Sequence, residues 1–235
     1  MKKFFINYAH RGASEYYPEN TMISFRKGLE MGANGIETDV QKTKDGVVVL
    51  FHDDTLDRVT TKTGCIADYT YSELLKFDVI KNELKEKITT LEEFLKEFGK
   101  EDITFAIELK VTGVAKETAE LIYKYGVQDK VIITSFQYDA LVEIKECAPE
   151  LKRGYLLFNL DEKTRKEIDS LELYEICPKG ENISAEEVAE YHKKGYNVRA
   201  WGMSNVDIMK RTIDKGVDGM TVNFPDKLTE YLKNK

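Results

Sequence analysis

The feature that most narrows the fold of this chain is a rhythm. Short runs rich in Val, Ile, Phe and Tyr alternate with amphipathic segments, and a glycine follows many of the latter. The pattern predicts strands over 4–9, 35–40, 47–51, 103–109, 130–134, 153–158, 175–177, 197–201 and 219–222. It predicts helices over 21–31, 91–98, 114–125, 138–147, 162–170, 185–194, 206–215 and 226–233. Gly32, Gly99, Gly126, Gly195 and Gly216 stand where a left-handed residue would end a helix. Thr90 with Glu93 and Ser184 with Glu187 fit capping boxes, in which hydroxyl and carboxylate satisfy orphan backbone donors. Ser204 and Asn20 are further candidate caps. Each strand, helix, glycine, strand unit implies parallel strands joined by helical crossovers.

Nine strands suggest eight in a closed barrel and one extra. Val40 and Val47 are separated by only six residues, including the turn pair Asp45-Gly46. A parallel crossover needs roughly a dozen residues or more, so 47–51 should fold back antiparallel on 35–40. A turn centred near Lys44-Asp45 would set His52 opposite Glu37. The stretch 54–89, with a short helix near 71–77, is too long for an ordinary loop. It reads as an insertion over one barrel mouth, a lid or substrate-shaping element. No Pro- or Ser-rich linker divides the chain, so one domain over 1–235 is expected.

Composition excludes several classes. Hydrophobic residues make up 42% and charged residues 33%, the balance of a soluble globular protein. No apolar run approaches the roughly 18 residues needed to span a bilayer, so stable membrane insertion is not expected. The apolar start Phe4-Phe5-Ile6 stops at Asn7, too short for a signal peptide, and a cytoplasmic location follows as an expectation. A net charge of −7 argues against a nucleic-acid partner. Cys65, Cys147 and Cys177 are too few and too scattered for a disulfide framework or a zinc site.

The candidate chemistry lies at strand ends. Glu37 and Asp39, two apart on a strand, share a face, and paired carboxylates repel unless a proton or cation joins them. A solvent-facing acidic pair would show the same spacing, but Ile36 and Val40 around it speak for burial. Glu108 ends another apolar run, with Lys110 on its face as an ion-pair partner or a phosphate ligand. Three carboxylates without Cys or His in ligand spacing suit one hard divalent cation, Mg²⁺ or Ca²⁺, bound through oxygen. His10 and His52 each follow a strand, and two imidazoles can divide acid and base roles at neutral pH. Arg11 and Lys110 are natural phosphate ligands, the first as a fork and the second as a point charge. His192, among Tyr and Lys on a helix, reads as structural.

Taken in order, these residues resemble the glycerophosphodiester phosphodiesterases. The resemblance rests on His10-Arg11-Gly12-Ala13, Pro18-Glu19-Asn20-Thr21, Glu37-x-Asp39, Asp45-Gly46, His52-Asp53-x-x-Leu56-x-Arg58-x-Thr60 and Glu108-x-Lys110. It continues through Ser135-Phe136, Gly154-Tyr155-Leu156 and Gly216-Val217-Asp218-Gly219, and so spans nearly the whole chain. It implies an α/β TIM (β/α)8 barrel with a small insertion after the second histidine. It implies metal ligands Glu37, Asp39 and Glu108, an acid/base pair His10 and His52, and phosphate contacts from Arg11 and Lys110. Phe136 and Trp201 match positions that line the pocket against the glycerol or alcohol group. The implied activity is metal-dependent hydrolysis of small glycerophosphodiesters to glycerol 3-phosphate and an alcohol. The alternatives are a lysophospholipase D-like or cyclising phosphodiesterase on the same fold, or a non-catalytic barrel that binds a phosphorylated ligand. Two departures from the family pattern are Gly202 after the tryptophan and Asn223 at the end of the last strand. Both are expected to lie clear of the proposed ligands and to bear on substrate preference rather than chemistry.

Overall fold

A computed structural model describes residues 5–235; Phe4, the expected start of the first strand, lies outside the described residues. In chain order come β1 (Ile6–His10), α1 (Met22–Glu30), β2 (Gly35–Lys42), β3 (Val48–Leu50), α2 (Tyr71–Leu74), β4 (Val79–Lys81), β5 (Leu84–Glu86) and α3 (Leu91–Phe98). Then follow β6 (Thr104–Leu109), α4 (Ala115–Tyr125), β7 (Val131–Ser135), α5 (Tyr138–Cys147), β8 (Lys152–Leu157) and α6 (Glu162–Leu171). The chain ends with β9 (Glu175–Pro178), α7 (Ala185–Lys193), β10 (Asn197–Ala200), α8 (Val206–Asp214), β11 (Gly219–Val222) and α9 (Pro225–Lys233).

Eight parallel strands run in the order β1-β11-β10-β9-β8-β7-β6-β2, and β1 pairs with β2 to close the ring. This is a TIM barrel. β3 is the ninth strand and lies antiparallel on β2. Its register, Val40 with Leu50 and Lys42 with Val48, is centred on Asp45. The pairing is shifted by one residue from that which the turn chemistry suggests, and continued regularly it would set His52 against Thr38 rather than Glu37. The strand ends at Leu50, the last tie to β2 is the Phe51 N–H bond to the Asp39 carbonyl, and the chain bends at His52, which is released from the alternation that would have turned it outward.

The capping boxes at Thr90 and Ser184 form as expected. The α8 cap is Asn205, not Ser204: its side chain accepts from the Ile208 N–H. Asn20 does not cap α1 either, because Thr21 holds that position. Of the five helix-closing glycines, four have positive φ, while Gly99 keeps a helical φ of −60°.

The main core lies between barrel and helices. Phe25, Phe94, Phe98 and Phe105 meet there edge to face or tilted. Residues 54–89 build a second, smaller core from Leu56, Ile66, Leu74, Val79 and Ile88. β3 and the residue after it serve both: Val48 and Leu50 face the main core, Val49 and Phe51 the insertion. No helix among the described residues is long and apolar enough to cross a membrane.

Candidate active site

Three neighbouring strands end together at the barrel mouth. His10 on β1 pairs in register with Glu37 on β2, and Asp39 on β2 with Glu108 on β6. Alternation along β2 turns Glu37 and Asp39 inward and leaves Ile36 and Val40 to the helix layer. β2 has two partners on its other edge. Its Glu37 carbonyl accepts from the Arg11 N–H at 2.8 Å, and its Asp39 carbonyl from the Phe51 N–H at 3.1 Å. The chains leaving β1 and β3 are thus tied to the same strand edge, which brings His10 and His52 to one cavity.

The turn after β1 is tight. Arg11 and Gly12 have φ of 57° and 84°, and a Cβ at Gly12 would stand 2.4 Å from Ser24. The Arg11 guanidinium is thereby folded back, with Nε 3.1 Å from Oδ2 of Asp39 and Nη1 3.0 Å from Oε1 of Glu19. Arg58, from the insertion, binds Glu19 with both terminal nitrogens and Asp53 through Nε at 2.6 Å. Asp53 accepts from Nδ1 of His52 at 2.6 Å. A charged chain therefore runs from His52 through Asp53, Arg58, Glu19 and Arg11 to Asp39.

Both histidines are oriented from behind. Asn223 Oδ1 lies 2.5 Å from Nδ1 of His10 and also accepts from the Ser14 hydroxyl. An amide oxygen and a carboxylate only accept, so each imidazole carries its proton on Nδ1 and keeps Nε2 free. His10 Nε2 lies 3.8 Å from Glu37. Burial, then the nearby Arg11 charge, lowers His10 to about 3. Burial also lowers His52, opposed by Asp39. Asn223 is thus clear of the three carboxylates but not of His10, which corrects the expectation that it bears on substrate preference alone.

Glu37, Asp39 and Glu108 are buried and offer oxygens that all lie within 4.8 Å of one another. Burial would raise Asp39, but Arg11, Lys110, His52 and the Asn20 hydrogen bond hold it at about 2. Glu37 moves the other way, pushed well up by burial and by its two carboxylate neighbours. Burial and Asp39 raise Glu108 to about 7 despite Lys110, whose Nζ lies 2.7 Å from Glu108. Asp39 Oδ1 is buried and takes no hydrogen bond; Lys110 Nζ stands 3.8 Å from it. An orphaned buried carboxylate oxygen in an all-oxygen donor set fits a hard divalent cation.

A cavity of about 380 Å³ opens above the carboxylates, lined by both histidines, Arg11, Glu37 and Glu108. A second of about 390 Å³ adjoins it and shares His52, Glu108 and Phe136. Lys110 lines the second only. Phe136, Phe158 and Trp201 form the apolar wall of the first, with ring centroids 5.0 to 5.1 Å apart. The Trp201 indole donates to the Cys177 carbonyl at 2.9 Å. All nine residues expected at the site therefore lie around this mouth. His192, read as structural, pairs with Asp218 at 2.8 Å, outside it.

Several residues around this mouth carry little signal in the sequence. The sequence marks Asn20 as a candidate cap, yet its Nδ2 donates to Asp39 Oδ2 at 2.9 Å. Arg58 shows only as part of the motif after His52, and Phe158 and Arg199 only as members of expected strands.

Fold and mouth together define a barrel enzyme of phosphate-ester chemistry. The sequence model of the glycerophosphoryl diester phosphodiesterase family matches residues 10–227. A glycerophosphodiester phosphodiesterase of Caldanaerobacter subterraneus subsp. tengcongensis is 37% identical over 96% of each chain. The uncharacterised Bacillus subtilis protein YqiK is 35% identical, covering 97% of this chain and 98% of its own. An Oleispira antarctica phosphodiesterase, solved in complex with the product sn-glycerol-3-phosphate, superposes with a TM-score of 0.89 at 26% identity, over 98% of this chain and 97% of that one. The chain belongs to the glycerophosphoryl diester phosphodiesterase family.

Proposed function

We propose that the protein hydrolyses glycerophosphodiesters to glycerol 3-phosphate and an alcohol, using one divalent cation, Mg²⁺ or Ca²⁺, and the pair His10 and His52. The observation that carries this reading is the closed carboxylate triad with two free imidazole nitrogens above it. Glu37, Asp39 and Glu108 hold the cation, which supplies Lewis-acid stabilisation of the phosphoryl oxygens.

Arg11 and Lys110 take up charge developing on the phosphate, and their own carboxylate partners keep both in place. Burial keeps His10 and His52 in the neutral form, and their Nδ1 partners leave Nε2 of each ring as the acceptor nitrogen. One activates the nucleophile; the other, once protonated, delivers a proton to the departing alkoxide. Asn223 and Asp53 fix the two rings while this happens.

The relative solved with sn-glycerol-3-phosphate supports the product assignment. The test is release of glycerol 3-phosphate from a panel of glycerophosphodiesters with each cation and with chelator. No release under any condition would overturn the reading.

A further inference from the structure

The barrel interior beneath the site is unusual in its chemistry. TIM-barrel interiors are mostly filled by branched apolar side chains. Here the layer below Trp201 holds Arg199, which is fully buried and still forms part of the cavity floor. Its Nε donates to Glu175 at 2.8 Å, Nη1 to the Thr221 hydroxyl at 2.7 Å and Nη2 to Cys177 at 3.3 Å. The Tyr8 ring lies against the guanidinium with its centroid 5.0 Å away. Room for this cluster is made on the neighbouring strand: a Cβ on Gly154 would come within 2.8 Å of Glu175.

A buried ion pair is a costly way to fill a barrel, since apolar residues of similar volume do it at least as well. These contacts use three of the five N–H donors of Arg199. Thr221 accepts from Arg199, so its own hydroxyl hydrogen remains to donate. Tyr8, Glu175, Cys177 and Thr221 surround the guanidinium, and the cavity it lines is the space left to its spare donors. The wall above is the aromatic cluster of Phe136, Phe158 and Trp201. A ligand arm that fits has C–H faces for the rings and hydroxyl oxygens for the floor, which is the chemistry of a short polyol.

We infer that Arg199, with Thr221, binds the free hydroxyl groups of the glycerol arm and selects a glyceryl phosphate over an otherwise similar alkyl phosphate. This rests on the function proposed above and names a substrate-binding residue for it. Glu175 is a positioning residue, since it acts through Arg199.

The test compares binding of sn-glycerol 3-phosphate and n-propyl phosphate, which differ only in the two hydroxyls, by titration calorimetry in the presence of Ca²⁺. The unmodified protein should favour glycerol 3-phosphate by about tenfold or more, as expected when a charged donor loses its acceptor. The double variant Glu175→Gln with Arg199→Met removes both charges together and should bind the two ligands within about twofold of each other. Arg199→Lys, which keeps the charge and loses the fork, covers the case in which the double variant does not fold, and should also narrow the ratio.

A ratio near one in the unmodified protein would overturn the inference. So would a tenfold ratio that survives in the variants, or parallel weakening of both ligands, which would mean that Arg199 acts only through Glu37 or the cation. Failure to release glycerol 3-phosphate with the preference intact would instead overturn the proposed reaction and leave this binding site standing.

Discussion

Asn20 donates its Nδ2 hydrogen to Oδ2 of Asp39 at 2.9 Å and accepts the Thr38 hydroxyl at its own Oδ1. It does this from a left-handed backbone, φ 56°, at the entrance to α1. One amide therefore aims the carboxylate that carries the orphaned oxygen. Asn20→Ala should weaken Mg²⁺ or Ca²⁺ binding by about 10–100-fold, the usual effect of losing an outer partner of a metal ligand. Calorimetric cation titration checks this; unchanged affinity would show that Asp39 needs no such support.

His52→Ala and Glu37→Ala should each abolish measurable turnover of glycerophosphocholine while circular dichroism shows the barrel intact. For His52 the loss should be about 100- to 10,000-fold, the range for a general acid or base. Full retained activity in either variant would remove that residue from the site.

Cation binding should strengthen with pH. Glu108 is raised to about 7 by burial and Asp39, above its ordinary value of 4.5. Its proton stabilises the cation-free fold fully below 4.5, and that contribution is lost as pH rises through about 7. A cation competes for the same oxygens, so it binds against the proton at low pH and freely at high pH. The gain in Tm from a fixed excess of Ca²⁺ should be larger at pH 8 than at pH 6. A gain that shrinks with rising pH would contradict the carboxylate triad as the cation site.

Arg58 is half exposed, so its ion pairs contribute little stability, about 1 kcal/mol or less each. Its position between Asp53 and Glu19 matters more. Arg58→Ala should leave Tm nearly unchanged and lower kcat by about 10–100-fold, as the ring of His52 loses its held geometry. A large Tm drop with normal kcat would assign Arg58 to folding of the insertion.

Asn223→Ala removes the acceptor at Nδ1 of His10. Turnover should fall with little change in substrate KM, since the proposed reaction uses the ring in the chemical step rather than in ground-state binding. Rescue by Asn223→Asp, which restores an acceptor, would separate orientation from a packing defect.

What could be read from the chain was whatever has a short period. The βα rhythm, the capping boxes and the shared face of Glu37 and Asp39 each depend on neighbours a few residues apart. The register of β3 was missed by one residue because turn composition locates a hairpin more loosely than its hydrogen bonds do. Asn223 reaches His10 from 213 positions away, and Arg58 reaches Glu19 from 39. Such contacts exist only once the barrel has closed. Asn20 was legible as a polar residue at a helix entrance, but a cap and a carboxylate partner ask for the same side chain there.

The attachment of two chain segments to one edge of β2 has a last consequence. The carbonyls of Glu37 and Asp39 are two residues apart, so their anchors are set off by one pleat, roughly 6.6 Å along the strand. β2 acts as a ruler for the two imidazole arms, and the length of the loops beyond it has no say in that measure. Loops of any length beyond these two anchors leave the spacing between them unchanged.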